Sequence, residues 1–218
     1  TRRHGTRARI GRMSLSSSEL ASRGLDSREL ESRELASTEP DSTELDIVEK
    51  QLGRRPRGVV EISYRTPDGQ PAVIKTMPKL PDGTPFPTLF YLTDPRLTAE
   101  ASRLEVAHVM KWMESRLAED AELAADYRNA HESFLAERNE LADLGTDFSG
   151  GGMPERVKCL HVLIAYALAK GPDHFRLGTE AVAMAAEHGN LRGIAIPVDW
   201  PSCEALGIDL DEFDFSNA

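Results

Sequence analysis

Long apolar runs are what this 218-residue sequence most plainly lacks. No stretch approaches the ~20 apolar residues that a membrane helix needs, and no charged-then-apolar segment of the secretory type opens the chain. Cysteine is scarce. Cys159 and Cys203, the 2 present, cannot build a disulfide framework, so a reducing, cytoplasmic setting is expected. Positive charge is in deficit: 26 Lys and Arg face 36 Asp and Glu, a net charge of −10. That balance excludes a general nucleic-acid binder, because phosphates would be repelled except at a local basic patch. Catalytic and cofactor signatures are missing too. There is no paired-carboxylate motif, no spaced Ser/His/Asp arrangement and no Gly-Lys-Ser/Thr phosphate loop, and no cofactor is implied.

What is present divides into three parts. Residues 1–45 read as a disordered extension: an Arg-rich, Ser-rich, acid-free start, then a degenerate five-residue repeat from Ser17 to Asp46. A leucine every fifth position winds around a helix instead of forming a stripe, so the repeat is expected to be linker. Residues 46–190 read as one domain. Residues 191–218 form an acidic, aromatic tail. From Pro197 onward it holds six acids and no Lys or Arg, and such tails are either mobile or docked as a shielding segment.

Within the domain the patterning predicts α+β. A short helix runs through Ile47, Val48 and Leu52 to a stop at Gly53. Strands follow over Gly58 to Arg65, Pro71 to Met77 and Thr88 to Thr93, the first two joined by the turn Thr66-Pro67-Asp68-Gly69. A helix from Pro95 or Thr98 to Leu117 carries two apolar groups on opposite sides, which requires burial on both faces or a kink. Ala121 to Leu144 has a cleaner stripe through Leu123, Tyr127, Ala130, Phe134 and Leu141. Pro154 to Lys170 is apolar on nearly every side and is expected at the centre. Thr179 to His188 is the last helix. The product is a three-stranded antiparallel sheet packed against three to five helices.

The conspicuous polar stretch is Gly150 to His161. Glycines permit a tight backbone path, Pro154 suits the first position of a helix, and the unpaired N–H groups of that first turn would face the glycine turn. Gly151, Gly152, Arg156, Lys158 and His161 are therefore candidate ligand-binding residues for an anion. His131 and Arg138, seven apart on one helical face, could point at the turn from a neighbouring helix. His131, Cys159 and His161 are the candidate catalytic side chains. A metal is not expected. Residues two apart on a helix diverge by about 200°, so Cys159 and His161 could not share an ion if that turn is helical. Cys159 is expected as a small buried side chain. Arg103 and Glu105 lie on different faces and should make separate salt bridges, and His108 and His188 read as ordinary surface residues.

Several blocks also resemble one family. Gln51-Leu52-Gly53-Arg54, Pro56-Arg57-Gly58-Val59, Leu80-Pro81-Asp82-Gly83-Thr84-Pro85-Phe86-Pro87-Thr88 and Tyr91-Leu92-Thr93 are similar to its opening. Ser102-Arg103-Leu104-Glu105, Ala130-His131 with Arg138, and Gly151-Gly152-Met153-Pro154 leading into Val157-Lys158-Cys159-Leu160-His161 are similar to its later part. The family is the bacterial one catalogued as domain of unknown function 501, common in actinobacteria, and the resemblance spans roughly residues 46–186. What it implies is context in cell division or polyphosphate metabolism. Thr66, Asp94 and Tyr166 depart from the family pattern, which often has Cys, Cys and His there. The expected function is a cytoplasmic accessory or binding protein. Its expected partners are an anionic small molecule or polyphosphate, or a division- or polyphosphate-related protein. The alternative is a hydrolase or transferase acting on a phosphorylated substrate.

Overall fold

The computed structural model describes residues 40–80 and 82–216. The Arg-rich start, the repeat units before residue 40 and Pro81 of the expected Pro-Asp-Gly turn lie outside them. Order starts earlier than Asp46. Helix α1 spans Ser42–Leu52, so the last repeat unit forms its first turn. Asp41 is the reason. Its side chain accepts from the Glu44 N–H while Glu44 reaches back to the Asp41 N–H, a reciprocal cap typically worth about 1 kcal/mol. Gly53, left-handed at φ 67°, ends the helix where expected.

Strands β1 (Val59–Arg65), β2 (Pro71–Thr76) and β3 (Phe90–Leu92) form an antiparallel sheet in the order β1-β2-β3. The alternation of a pleated sheet, broken by a register shift between Ile62 and Tyr64, sorts its side chains to two faces. Tyr64, Val73, Phe90 and Leu92 join the main core, whereas Ile62 and Ile74 meet Val48 of α1 on the other face. The sheet is thus covered on both sides, by one helix on one and a helical layer on the other. The fold is α+β, as the patterning predicts.

The helical layer differs from expectation in two ways. The segment after Asp94 is two helices, α2 (Pro95–Val106) and α3 (Val109–Glu119). Left-handed His108, at φ 64°, lies between them. Breaking there lets each apolar group face the core on its own helix, and it brings the described α-helices to six. Helix α4 (Ala121–Leu141) follows, capped by Asp120. Helix α5 spans Leu160–Lys170, starting six residues later than Pro154, and α6 spans Arg176–His188. Leu160, Leu163, Ile164, Tyr166 and Leu168 of α5 are all buried, so it is the central rod.

The acidic tail takes the docked alternative. Trp200, Cys203 and Ile208 are buried, and the Trp200 indole N–H donates to the Thr179 carbonyl at 3.2 Å. Phe213 packs edge-on against Trp112, and Phe215 stacks on His188 with ring centroids 4.1 Å apart. These contacts satisfy the aromatic residues without removing the acids from water. No helix among the described residues is long and apolar enough to cross a membrane.

Candidate functional site

The glycine turn is not built as a helix mouth. Gly151 and Gly152 have φ 69° and 92°, and the Met153–Pro154 peptide is cis. The Lys158 N–H donates to the Gly151 carbonyl at 2.7 Å and the Arg156 N–H to that of Gly152 at 2.9 Å. A side chain on Gly151 would meet Leu163, and one on Gly152 would meet the Arg156 carbonyl, so both glycines serve close packing of the turn. Carboxylates of the protein take the N–H groups nearest α5. The Val157 N–H donates to Glu114 at 3.1 Å and the Leu160 N–H to Glu105 at 2.7 Å. In the stretch expected to hold an external anion, the N–H groups of Arg156, Val157, Lys158 and Leu160 are therefore partnered internally.

The candidate residues separate accordingly. His131, buried on α4, bonds the Ser149 hydroxyl through Nδ1 at 2.9 Å. Burial holds its pKa below the usual histidine value. Arg138 is fully buried and donates to the Thr146 carbonyl at 2.6 Å and to the Phe148 carbonyl. Both side chains anchor the loop after α4. Arg156 pairs with Glu114 at 3.4 Å, and Lys158 is exposed with its stem over Gly152.

His161 stands elsewhere, with residues the spacing argument had kept apart. Cys159 is the N-cap of α5 and is extended, at φ −157° and ψ 113°, so it lies off the helical spiral. The 200° divergence applies only between two helical residues, and here only His161 is one. Cys159 and His161 consequently converge with Glu105 of α2: one ligand-type atom from each lies within 4.8 Å of the others. His161 Nδ1 is 3.1 Å from Glu105 Oε1, and Nε2 faces the Ser102 hydroxyl at 3.4 Å. That hydroxyl donates its own hydrogen to the Thr98 carbonyl at 3.0 Å. Hydrogen bonding with Cys159, and then with Glu105, pushes the His161 pKa up to about 10 against the effect of burial. Burial works to raise the pKa of Glu105, but the bonds from His161 and the Leu160 N–H hold it below the usual value. Glu105 indeed shares nothing with Arg103, which pairs with Glu100. The signal that could have found Glu105 was its place in the Ser102-Arg103-Leu104-Glu105 block.

This cluster borders a cleft of about 700 Å³ between the end of α1, β3, α2 and the start of α5. Leu52, Phe90, Tyr91 and Val162 give it apolar walls, while Thr98, Ser102, Cys159 and His161 give it a polar end. No Lys, Arg, Asp or Glu lines it among the described residues. A second depression of about 540 Å³ lies beside Pro154 and Glu155, where Lys111 and Arg128 alternate with Glu114 and Glu155. Opposite charges side by side there neutralise one another, so the first cleft is the better candidate.

Fold and site together define a small α+β protein with a mixed apolar and polar cleft ending in a Cys–His–Glu cluster. The chain matches the family described as protein of unknown function (DUF501) over residues 62–183, 122 of 218 residues, and belongs to it. The match takes in Ser102, Glu105, Cys159 and His161. No curated protein and no solved structure matches the chain.

Proposed function

We propose that the protein is a cytoplasmic binding protein that holds a small ligand in the cleft between α1, β3, α2 and α5. The ligand has an apolar body against Phe90, Tyr91 and Val162 and a polar, phosphate-type anionic end at Thr98, Ser102 and His161. The observation that carries this reading is the gathering of hydroxyl and imidazole groups at one end of an otherwise apolar cleft. Two free thiols fit a reducing setting. A division- or polyphosphate-related partner is the context suggested by the family resemblance.

The test is a thermal-shift screen of the full chain with inorganic phosphate, polyphosphate and nucleotides, beside the cleft-filling variant Ala99→Trp. A ligand present at a hundred times its Kd stabilises by about 2.7 kcal/mol, a shift of several degrees. The wild type should shift and the variant should not. No shift with any compound, or one that survives Ala99→Trp, removes the reading.

A second reading, a hydrolase acting on a phosphorylated substrate, is favoured by one arrangement. Ser102 Oγ, His161 Nε2, His161 Nδ1 and Glu105 Oε1 run in series at 3.4 and 3.1 Å, the order in which a hydroxyl, a base and an orienting carboxylate act. That series requires the Ser102 hydroxyl to turn its hydrogen from the Thr98 carbonyl to His161 Nε2; Ser102 is then the nucleophile and Cys159 has no part.

A further inference from the structure

That series leaves Cys159 unexplained, although one ligand-type atom from each of Cys159, His161 and Glu105 lies within 4.8 Å of the others. We propose that Glu105, Cys159 and His161 form a divalent metal site of the zinc class, at the polar end of the cleft. The inference rests on the cleft reading only for what fills the ion's remaining position.

Three observations carry it. The first is the donor set. A thiolate, an imidazole nitrogen and a carboxylate oxygen are the ligand types zinc takes, and the thiolate disfavours the hard cations calcium and magnesium. The second is spacing. Ligand atoms of a tetrahedral zinc site lie roughly 3.3–3.6 Å apart, from bond lengths of about 2.0–2.3 Å. His161 Nδ1 and Glu105 Oε1 are already 3.1 Å apart, and the sulfur lies within 4.8 Å of both.

The third is the hydrogen-bond direction around His161. Ser102 spends its hydrogen on the Thr98 carbonyl and offers Nε2 only an acceptor. In that arrangement Nε2 is the donor toward Ser102, and Nδ1 points at a carboxylate that can only accept. Something positive must stand between Nδ1 and Glu105: a proton, or a cation in its place. Ser102 then supports the ring from its far side, as outer-shell partners of metal-bound histidines do. The charges balance as well, since one dication meets one thiolate and one carboxylate. As the ion binds, the thiol proton of Cys159 and the proton held between His161 and Glu105 leave to solvent. Cys159 and His161 also line the cleft, so a fourth position would open toward it, as in zinc sites that bind water or ligand.

The test uses the full chain stripped with chelator and titrated with cobalt(II) as the spectroscopic probe, then with zinc in competition. One equivalent should bind, with a thiolate-to-cobalt charge-transfer band and the intense visible bands of four-coordinate cobalt. Cys159→Ser should abolish the charge-transfer band. His161→Ala should weaken binding about a hundredfold, and Ser102→Ala about tenfold. Far-UV circular dichroism on each variant checks the fold, and Cys159→Ser, nearly isosteric, keeps the test decisive if His161→Ala unfolds. Failure to bind cobalt in the wild type, or a charge-transfer band that survives Cys159→Ser, overturns the site. The outcomes stay separate from those of the cleft: Ala99→Trp should block ligand and leave cobalt uptake intact, whereas loss of cobalt uptake leaves the anion screen standing on its own.

Discussion

Helix α2 makes two histidine–carboxylate pairs, and only one of them looks like a site. Glu100 meets His188 Nδ1 at 2.6 Å and also holds Arg103, while Phe215 from the tail lies flat on the imidazole. Glu105 meets His161 Nδ1 at 3.1 Å, with Cys159 as a third group and a cleft alongside. The Glu100 pair has its charge matched within the protein and is roofed by the chain's own end. The Glu105 pair adds a ligand-type sulfur and opens outward. A histidine beside a carboxylate is thus ordinary structural chemistry; what sets the second pair apart is the third donor and the access.

The sharpest way to break this comparison is to remove each acid in turn. Glu100→Ala leaves Arg103 and His188 without their carboxylate and should cost about 2–3 kcal/mol, somewhat below a fully buried pair because both partners reach solvent. Glu105→Gln keeps an oxygen for the Leu160 N–H and should cost only about 1 kcal/mol. Urea denaturation measures both, and equal costs would erase the distinction. Next in size is Phe215→Ala, which uncovers His188 at about 1 kcal/mol. It should leave cobalt binding at His161 untouched, and a change there would mean that the two pairs are coupled.

The smallest effect separates both pairs from a histidine whose burial outweighs the nearby acids Glu132 and Asp147. Burial lowers the pKa of His131 in the folded state, so the unfolded chain holds that proton more tightly. The stability it contributes is present above its unfolded value, about 6.5, and is lost as pH falls through the folded one. His174, lowered by burial as well, has the same sign. Denaturation midpoints should fall on acidification from pH 7, and His131→Gln should flatten part of the slope.

Much of the architecture was legible because it rests on local rules. Gly53, the Thr66–Gly69 turn and the apolar surround of Leu160 to Leu168 mark a helix stop, a hairpin and a central helix from a few residues each. The two-sided apolar pattern before Leu117 announced trouble in that helix, and His108 is where the chain yields. The start of α5 departs from the local pattern: Pro154 is a good first helical residue, and nothing local reveals that Glu105, 55 positions away, caps Leu160 instead. His131 and Arg138 share a face as their spacing requires, and that face holds the loop after α4.

The sequence by itself determined the elements, their amphipathic faces and the absence of a familiar catalytic motif, because propensity, turn chemistry and periodicity act over a few residues. Only the tertiary structure decided the candidate site. It depends on one extended residue at Cys159 and on a carboxylate carried by another helix, and neither can be read until the chain has closed on itself.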